Sequence, residues 1–144
     1  MYVIDEILDT DLPRLADLYG QLSGRTLDPA AMTPVFHKIR DSEDYYLMGA
    51  RDCGHLVGTV MAVVCHDLVK ECRPFLIMEN FVVDSRWHRK GVGSRLILKV
   101  EEIAKERNCI FVQFCSSSFR TGAHAFYEES GYKPGEVKGF RKYF

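Results

Sequence analysis

The sequence predicts a mixed α/β domain in which helices cover a central sheet. Apolar residues recur at helical spacing in four segments, namely residues 9–22, 34–41, 92–107 and 120–130. Apolar runs of strand length lie between them, chiefly at residues 2–7, 45–64, 74–84, 109–115 and 136–144. The resulting order, β-α-α-β-β-β-α-β-α-β, is typical of a sheet with helices on its faces.

The N-terminal part is predicted to form one strand and two helices. Leu12, Leu15, Leu18 and Leu22 share one face of the first helix, with Asp9 or Thr10 as its N-cap. A linking segment with glycine and proline follows. The second helix is then expected to start at Thr33 and Pro34, because the fixed φ of proline suits a first helical turn.

The middle of the chain changes to the period of strands. A turn at Asp52, Cys53 and Gly54 divides residues 45–64 into a hairpin. The helix from Val92 is predicted to end near Asn108. Residues 109–115, "CIFVQFC", are continuous enough for a strand covered on both faces, and residues 136–144 are expected to close the sheet.

Length and composition narrow the class of protein. A chain of 144 residues fits one domain, predicted over 1–144, with a core that needs no disulfide or metal. The net charge of -1 provides no overall attraction to nucleic acid or to acidic membranes, and no apolar run is long enough to span a bilayer. The first residues include acids and no basic segment, unlike a signal peptide. Five irregularly spaced cysteines without a C-x-x-C pair favour a reduced, cytoplasmic protein without a metal site.

The stretch "HRKGVGSRL", residues 88–96, is the strongest candidate for a binding site. A strand, a glycine-containing turn and a helix start form an anion site, because unpaired N–H groups converge there and the helix dipole favours negative charge. Four cations accompany Gly91 and Gly93, namely Arg86, Arg89, Lys90 and Arg95. The Rossmann and P-loop fingerprints both require a glycine where this chain has Leu96, so neither motif fits.

Two segments together resemble a known family. "ENFVVDSRWHRKGVGSRLI" resembles the acetyl-CoA signature of the GNAT superfamily of N-acetyltransferases, a strand followed by [RQ]-x-x-G-x-[GA] at a helix start. About thirty residues later, "AHAFYEESGYKP" resembles the second marker of that superfamily. The resemblance implies a mostly antiparallel sheet of six to seven strands with about four flanking helices. The chain departs from the signature at His88, which stands at the Arg/Gln position.

The resemblance also implies a set of residues that bind acetyl-CoA as co-substrate, with no metal. Free backbone groups of the strand before the loop are expected to bind the pantetheine arm and the acetyl carbonyl, and N–H groups of the loop to bind the diphosphate. Ser117 stands where family members often have a pantetheine-binding Asn. The expected cofactor-binding residues are Phe81, Val82, Val83, His88, Arg89, Lys90, Gly91, Val92, Gly93, Ser94, Ser117 and Tyr127.

Two side chains are candidates for proton transfer. An amine of the lysine type has a pKa of about 10.4 and must lose a proton before it attacks. Glu79 lies in an apolar strand where GNAT enzymes often have a base, and this role is the preferred interpretation; the alternatives are an outward residue of the strand or a partner of a cation across it. Tyr127 matches the family's tyrosine that protonates departing CoA, and the alternative is a core aromatic beside Phe126. His124 shares the face of Tyr127, and Cys115 is interpreted as a small buried residue rather than a nucleophile.

The preferred hypothesis is an enzyme that acetylates a primary amine of a small molecule by direct attack in a ternary complex. The alternatives are a protein lysine or N-terminal acetyltransferase, and a non-catalytic module that senses acyl-CoA. The acceptor is expected near residues 20–32 and 65–75. These segments carry charges of both signs, which do not distinguish a cationic amine from an amine with a phosphonate group. The apolar and basic end of the chain is compatible with a homodimer, as in many GNAT proteins.

Overall fold

The computed structural model describes residues 1–144, which form two compact units, Met1–Gln113 and Phe114–Phe144. The first unit contains the whole sheet and three of the four α-helices. The second contains one helix and the C-terminal segment. The single domain over 1–144 stays a prediction, and each unit is described by itself below.

The sheet has five strands in the order of the sequence. They are β1 (Val3–Glu6), β2 (Tyr45–Asp52), β3 (His55–Cys65), β4 (Phe75–Val83) and β5 (Val112–Gln113). Neighbouring strands from β1 to β4 are antiparallel, and β5 pairs parallel to β4. The parallel connection between β4 and β5 passes through a helix, as such a connection requires.

Four α-helices accompany the sheet, as predicted. They are α1 (Leu12–Ser23), α2 (Pro29–Arg40), α3 (Val92–Glu106) and α4 (Thr121–Glu129). The mixed α/β architecture and its mostly antiparallel sheet are confirmed. None of these helices is both long and apolar enough to cross a membrane.

Helices α1 and α2 pack on one face of the sheet and α3 packs on the other. The first face includes a buried cluster of Ile7, Leu12, Leu15, Leu18, Phe36, Leu56 and Val82. On β3, Gly58 faces α3, because a Cβ there would lie 3.2 Å from side-chain atoms of Leu96 and Val92. Successive residues of a strand point to opposite faces, so Val60, Ala62 and Val64 also face α3.

The starts of the first two helices differ from the prediction. Residues Asp9–Asp11 form a 3₁₀ turn and α1 begins at Leu12, so neither Asp9 nor Thr10 is its N-cap. Helix α2 begins five residues before Pro34, which lies inside it. The reason is a stronger start signal at Asp28, whose carboxylate accepts a hydrogen bond from Ala30 N–H (3.0 Å) directly before Pro29.

The predicted sheet of six to seven strands was too large. Residues 136–144 form no strand and are all exposed, because the segment has no partner strand and Gly139 interrupts its apolar pattern. The predicted strand at 109–115 is reduced to Val112–Gln113, and its residues are half-buried or exposed rather than covered on both faces. A strand forms only where a neighbouring strand accepts and donates its backbone hydrogen bonds, and the local sequence pattern does not specify that neighbour.

The hairpin between β2 and β3 forms at the predicted turn. Asp52 pairs with His55, which leaves Cys53 and Gly54 as a two-residue loop. Both loop residues have positive φ, 48° and 82°. These values are those of a type I′ turn, which matches the twist of the flanking strands.

A buried carboxylate fixes the end of β4. Asp84 is fully buried and accepts hydrogen bonds from the side chains of Arg14 and Gln21 on α1 and of Arg86 in the following loop. It also accepts from Arg86 N–H (2.9 Å). Hydrogen bonds from Arg86, and then from Arg14, hold the pKa of Asp84 well below its usual range. The carboxylate therefore joins the end of the strand to α1 and to the next loop.

We predict that Gly54→Ala lowers the free energy of unfolding by about 1 kcal/mol, because a Cβ is strained at φ 82° in the turn. Urea unfolding followed by circular dichroism measures the change. The control is Gly122→Ala in α4, where φ is helical and a Cβ meets no atom within 4 Å. An equal loss of stability in both variants would show that the turn is not the cause.

We predict that Asp84→Asn lowers the free energy of unfolding by about 3 kcal/mol at pH 7, because it leaves the partly buried Arg14 without its buried carboxylate. Since the pKa of Asp84 is lowered by folding, its contribution is complete above about pH 4 and decreases as the pH falls further. Unfolding curves between pH 2 and pH 7 should therefore be less pH-dependent in the variant.

The matched control is Asp17→Asn, which removes an exposed carboxylate 4.0 Å from the same guanidinium. A surface pair of this kind contributes less than about 1 kcal/mol. A loss in Asp17→Asn as large as that in Asp84→Asn would contradict the special role of the buried group.

Candidate functional site

A β-bulge interrupts β4 and sets the direction of its functional residues. Thr59 pairs with Val82 and Met61 with Glu79, so two residues of β4, Asn80 and Phe81, oppose one residue of β3. Asn80 has a φ of 53°, a left-handed conformation that asparagine tolerates better than most residues. Glu79 and Val82 consequently point to the same face of the sheet, although an uninterrupted strand would place them on opposite faces.

Glu79 lies at the place where the sheet opens. The ladder between β4 and β5 ends at the pair of Ile77 and Gln113, two residues before Glu79. The glutamate is exposed and is not enclosed by apolar residues as its neighbours in sequence had suggested. Met78 is buried on the α3 face, whereas Glu79 lies opposite the half-buried Met61 on the other face. The carboxylate is therefore accessible from solvent.

The backbone groups of Val82 and Val83 point in different directions. Asp84 N–H donates to the Val57 carbonyl (2.8 Å), and hydrogen-bonded pairs alternate along an antiparallel ladder. By this alternation the polar groups of Val82 face β3 through its pair with Thr59. Those of Val83 face the side where β5 has ended, whereas Phe81 lies inside the bulge, where the alternation is interrupted. Of the three residues expected to bind pantetheine, Val83 thus has the suitable backbone direction.

The loop before α3 has the form of an anion site. Its N-cap is Gly91, with a φ of 83°, and no side chain caps the helix. The backbone N–H groups of residues 89–94 donate to no protein acceptor, whereas Arg95 N–H closes the first helical bond to Gly91 (3.2 Å). Six consecutive unpaired donors at a helix start attract a phosphate group. The predicted residues Arg89, Lys90, Gly91, Val92, Gly93 and Ser94 all belong to this set.

His88 contributes to this loop through its side chain. Its ring nitrogen Nε2 donates to the Val83 carbonyl (2.8 Å), which ties the loop to the last residue of β4. Its own N–H is directed to the Ser85 carbonyl at 3.4 Å and closes the preceding 3₁₀ turn. The unpaired N–H groups therefore begin after His88, at Arg89.

The four cations near the loop have different surroundings. Arg86 is engaged by Asp84 and lies over the Trp87 ring, 5.1 Å from its centroid. Lys90 lies over the same ring at 5.8 Å. Trp87 in turn donates from Nε1 to Asp52 (2.9 Å). Arg86 is thus a structural residue, and Arg89 and Lys90 are the exposed cations within the loop.

Tyr127 is a buried residue of the second unit. Its side chain is 6% exposed, and its ring packs on Phe114 with centroids 4.5 Å apart. Burial raises the pKa of Tyr127, while Arg120 acts in the opposite direction. The phenol is therefore protonated at neutral pH, as a proton donor must be. Phe126, which the sequence assigned to the core, is only half-buried.

The remaining candidates of the second unit lie in and around the turn before α4. Ser117 is exposed, and its carbonyl accepts from Arg120 N–H (3.0 Å). The Nε2 of His124 lies 3.2 Å from the Ser116 hydroxyl. Cys115 is exposed rather than buried, and all five cysteines are free.

Sequence reasoning missed three features of the first unit. The bulge at Asn80 was hidden inside an apolar run, where only the asparagine itself indicates a left-handed residue. Gln113 pairs with Ile77 and so lies on the face of Glu79, a relation that depends on the pairing of β5 with β4. The contacts of Arg14 and Gln21 with Asp84 span more than sixty residues of sequence and leave no local pattern.

Known proteins agree with this architecture. A transcriptional regulator from Bacillus halodurans C-125 superposes with a TM-score of 0.93 at 24% identity over 100% of both chains. The glucosamine-6-phosphate N-acetyltransferase of Arabidopsis thaliana gives 0.87 at 21% identity, covering 100% of this chain and 99% of its own.

The aminoglycoside N-acetyltransferase AAC(6')-Iy, in complex with a bisubstrate analog of CoA and acetylneamine, gives a TM-score of 0.82 at 22% identity. The match covers 100% of this chain and 99% of that enzyme. No curated protein matches in sequence. Residues 10–132, however, match the sequence model of the acetyltransferase (GNAT) family, which is most of the chain. The protein therefore belongs to the GNAT family of acetyltransferases.

Proposed function

We propose that this protein transfers the acetyl group of acetyl-CoA to a primary amine of a small molecule. The observation that carries the proposal is the six unpaired N–H groups of residues 89–94, which follow a strand with an accessible glutamate at its open side. The unpaired N–H groups suit the diphosphate of CoA, and the accessible glutamate suits a protonated amine.

The donor set of the loop fits the diphosphate of CoA. Backbone N–H groups bind phosphate oxygens without requiring a particular side chain, and Gly91 has open space where a Cβ would stand. Arg89 and Lys90 add positive charge beside those donors. The backbone of Phe81 and Val83 is proposed to bind the pantetheine arm, and Ser117 to contact it. When bound, acetyl-CoA supplies an activated thioester.

Glu79 and Tyr127 are proposed to move the protons of the reaction. Glu79 accepts a proton from the ammonium group, directly or through water, so that the nitrogen lone pair can attack the acetyl carbonyl. A strand N–H stabilises the negative charge that develops on the carbonyl oxygen. As the C–N bond forms and the C–S bond breaks, the Tyr127 hydroxyl donates its proton to the departing sulfur. The nitrogen loses its second proton to give the amide, and a proton from solvent restores the Tyr127 phenol.

A small-molecule acceptor is supported by two of the similar structures, whose names specify glucosamine-6-phosphate and an aminoglycoside. The alternatives remain a protein acetyltransferase and a module that senses acyl-CoA. Turnover of acetyl-CoA with a panel of amines and peptides, followed by thiol release, separates all three. Binding of acetyl-CoA without turnover by any acceptor would favour the sensing module.

We also propose that the protein acts in the cytoplasm as a homodimer. The five free cysteines suit a reducing compartment. The end of the chain exposes large apolar side chains, with Phe140 89% and Tyr143 82% exposed. Apolar exposure of this kind is typical of surfaces that bind another protein.

We predict that Tyr127→Phe lowers kcat at least about tenfold, because general acids contribute 10²–10⁴ to a rate. Thiol release at saturating acetyl-CoA measures kcat. The control is Tyr143→Phe, which makes the same change at an exposed tyrosine of the same unit. Since burial raises the pKa of Tyr127, the wild-type rate should show no loss of the acid below about pH 10. An unchanged kcat in Tyr127→Phe would remove the residue from this role.

We predict that Glu79→Gln lowers kcat/KM for the amine about 100-fold at pH 7, as expected for the loss of a general base. The difference from wild type should narrow as the pH approaches about 10, where the free amine no longer needs a base. Initial rates between pH 6 and pH 10 measure it, with Glu106→Gln on the exposed side of α3 as control. A defect that is equal at every pH would contradict the role as base.

A further inference from the structure

One area of the sheet combines apolar side chains with incomplete burial. On the face opposite α3, three neighbouring strands present Tyr45 and Leu47 from β2, Met61 and Val63 from β3, and Phe75 and Ile77 from β4. All are half-buried except Tyr45, which is 39% exposed. Directly behind them, Ala62, Val64, Leu76 and Met78 are at most 3% exposed under α3. The same strands are thus fully covered on one face and partly open on the other.

We call Met61, Val63, Phe75, Ile77 and Phe111 the apolar shelf. Val63 pairs with Ile77, and the Phe75 and Phe111 rings stack with centroids 5.3 Å apart. Glu79 stands at one end of the shelf, opposite Met61 and two residues beyond Ile77. Directly opposite residues of antiparallel strands have Cβ atoms about 5 Å apart, so the carboxylate adjoins apolar surface. Glu79 lies four residue steps along the strand from Phe75, which gives the shelf a length of about 13 Å.

The charges around the shelf restrict what it can bind. None of the five shelf residues is acidic, Glu79 stands at one end, and the neighbouring polar residue, Gln113, is neutral. At the opposite end, the Lys70 ammonium lies 5.7 Å from the centroid of the Phe111 ring. A ligand with a second ammonium would place that charge over apolar side chains or toward Lys70. Burying an unpaired charge is costly, so a polycation suits the shelf poorly.

We propose that the acceptor is a monoamine whose single amino group is attached to an aliphatic or aromatic body that lies on the apolar shelf. This inference rests on the proposed acetyl transfer and on Glu79 as its base. The amino group contacts Glu79, while the body covers Ile77, Val63 and Phe75 and removes their apolar surface from water. Selectivity then follows from the apolar area that the body of the amine covers and from the lack of an acidic residue among the five shelf residues to pair with a second ammonium.

The first test uses wild-type protein and amines that differ in one property at a time. Along propyl-, butyl-, pentyl- and hexylamine, kcat/KM should rise about threefold to fourfold per methylene, the factor that corresponds to the burial of one CH₂. Hexylamine should exceed 1,6-diaminohexane, which has the same length and a second charge, at least tenfold. No rise with chain length, or equal use of the diamine or of an aminoglycoside, would overturn the proposal.

The second test places a hydroxyl group on the shelf, without a change of shape at Val63 and with the loss of one methyl group at Ile77. Val63→Thr and Ile77→Thr should flatten the dependence of kcat/KM on chain length at unchanged KM for acetyl-CoA. The control Leu98→Gln, on the exposed side of α3, should leave the dependence of kcat/KM on chain length unchanged. If the variants instead alter the oligomeric state in sedimentation and leave the dependence intact, the shelf binds a second copy and the proposal is wrong.

The outcomes also separate this inference from the proposed function. Turnover of polycationic amines without turnover of alkylamines contradicts the apolar shelf and leaves the acetyl transfer standing. Absence of turnover with every amine, in protein that still binds acetyl-CoA, contradicts both.

Discussion

The buried carboxylate of Asp84 is the interaction on which the arrangement of the site depends. It receives hydrogen bonds from α1 and from the loop after β4, so one group fixes the end of a central strand, the helix beside it and the approach to α3. A buried charge is tolerated only when it is fully paired, and Arg14, Gln21 and Arg86 provide that pairing. Because the six unpaired N–H groups begin only five residues later, their position depends on this contact.

The bulge in β4 is the second constraint, and it links the fold to the chemistry. Regular alternation along β4 places Glu79 on the same face as Ile77, which is the face of the apolar shelf. The extra residue at Asn80 then brings Val82 to that face as well, while the ladder with β5 has already ended. The bulge thus lies between Glu79 and the end of the strand that leads to the anion loop. Such bulges often redirect side chains at functional sites.

The uneven covering of the sheet gives the site its chemical character. Under α3 the apolar residues of β3 and β4 are buried, and their burial contributes to the stability of the first unit. On the other face, α1 and α2 cover the part around Val82 and Leu56 and leave the shelf half-open. Apolar surface retained beside the carboxylate of Glu79 favours a ligand with one charge and an apolar body.

The sequence by itself determined the local elements and the anion loop. Periodicity specified α1, α3, α4 and β4, the glycine turn specified the hairpin, and the residues around Gly91 specified a helix start suited to phosphate, since each signal is contained in neighbouring residues. Only the tertiary structure decided the sheet of five strands and the exposure of Glu79. It also decided the partners of Asp84 and the pairing that joins Ile77 to Val63 and Gln113. These features depend on contacts between residues that are distant in sequence. The pattern of neighbouring residues does not specify such contacts.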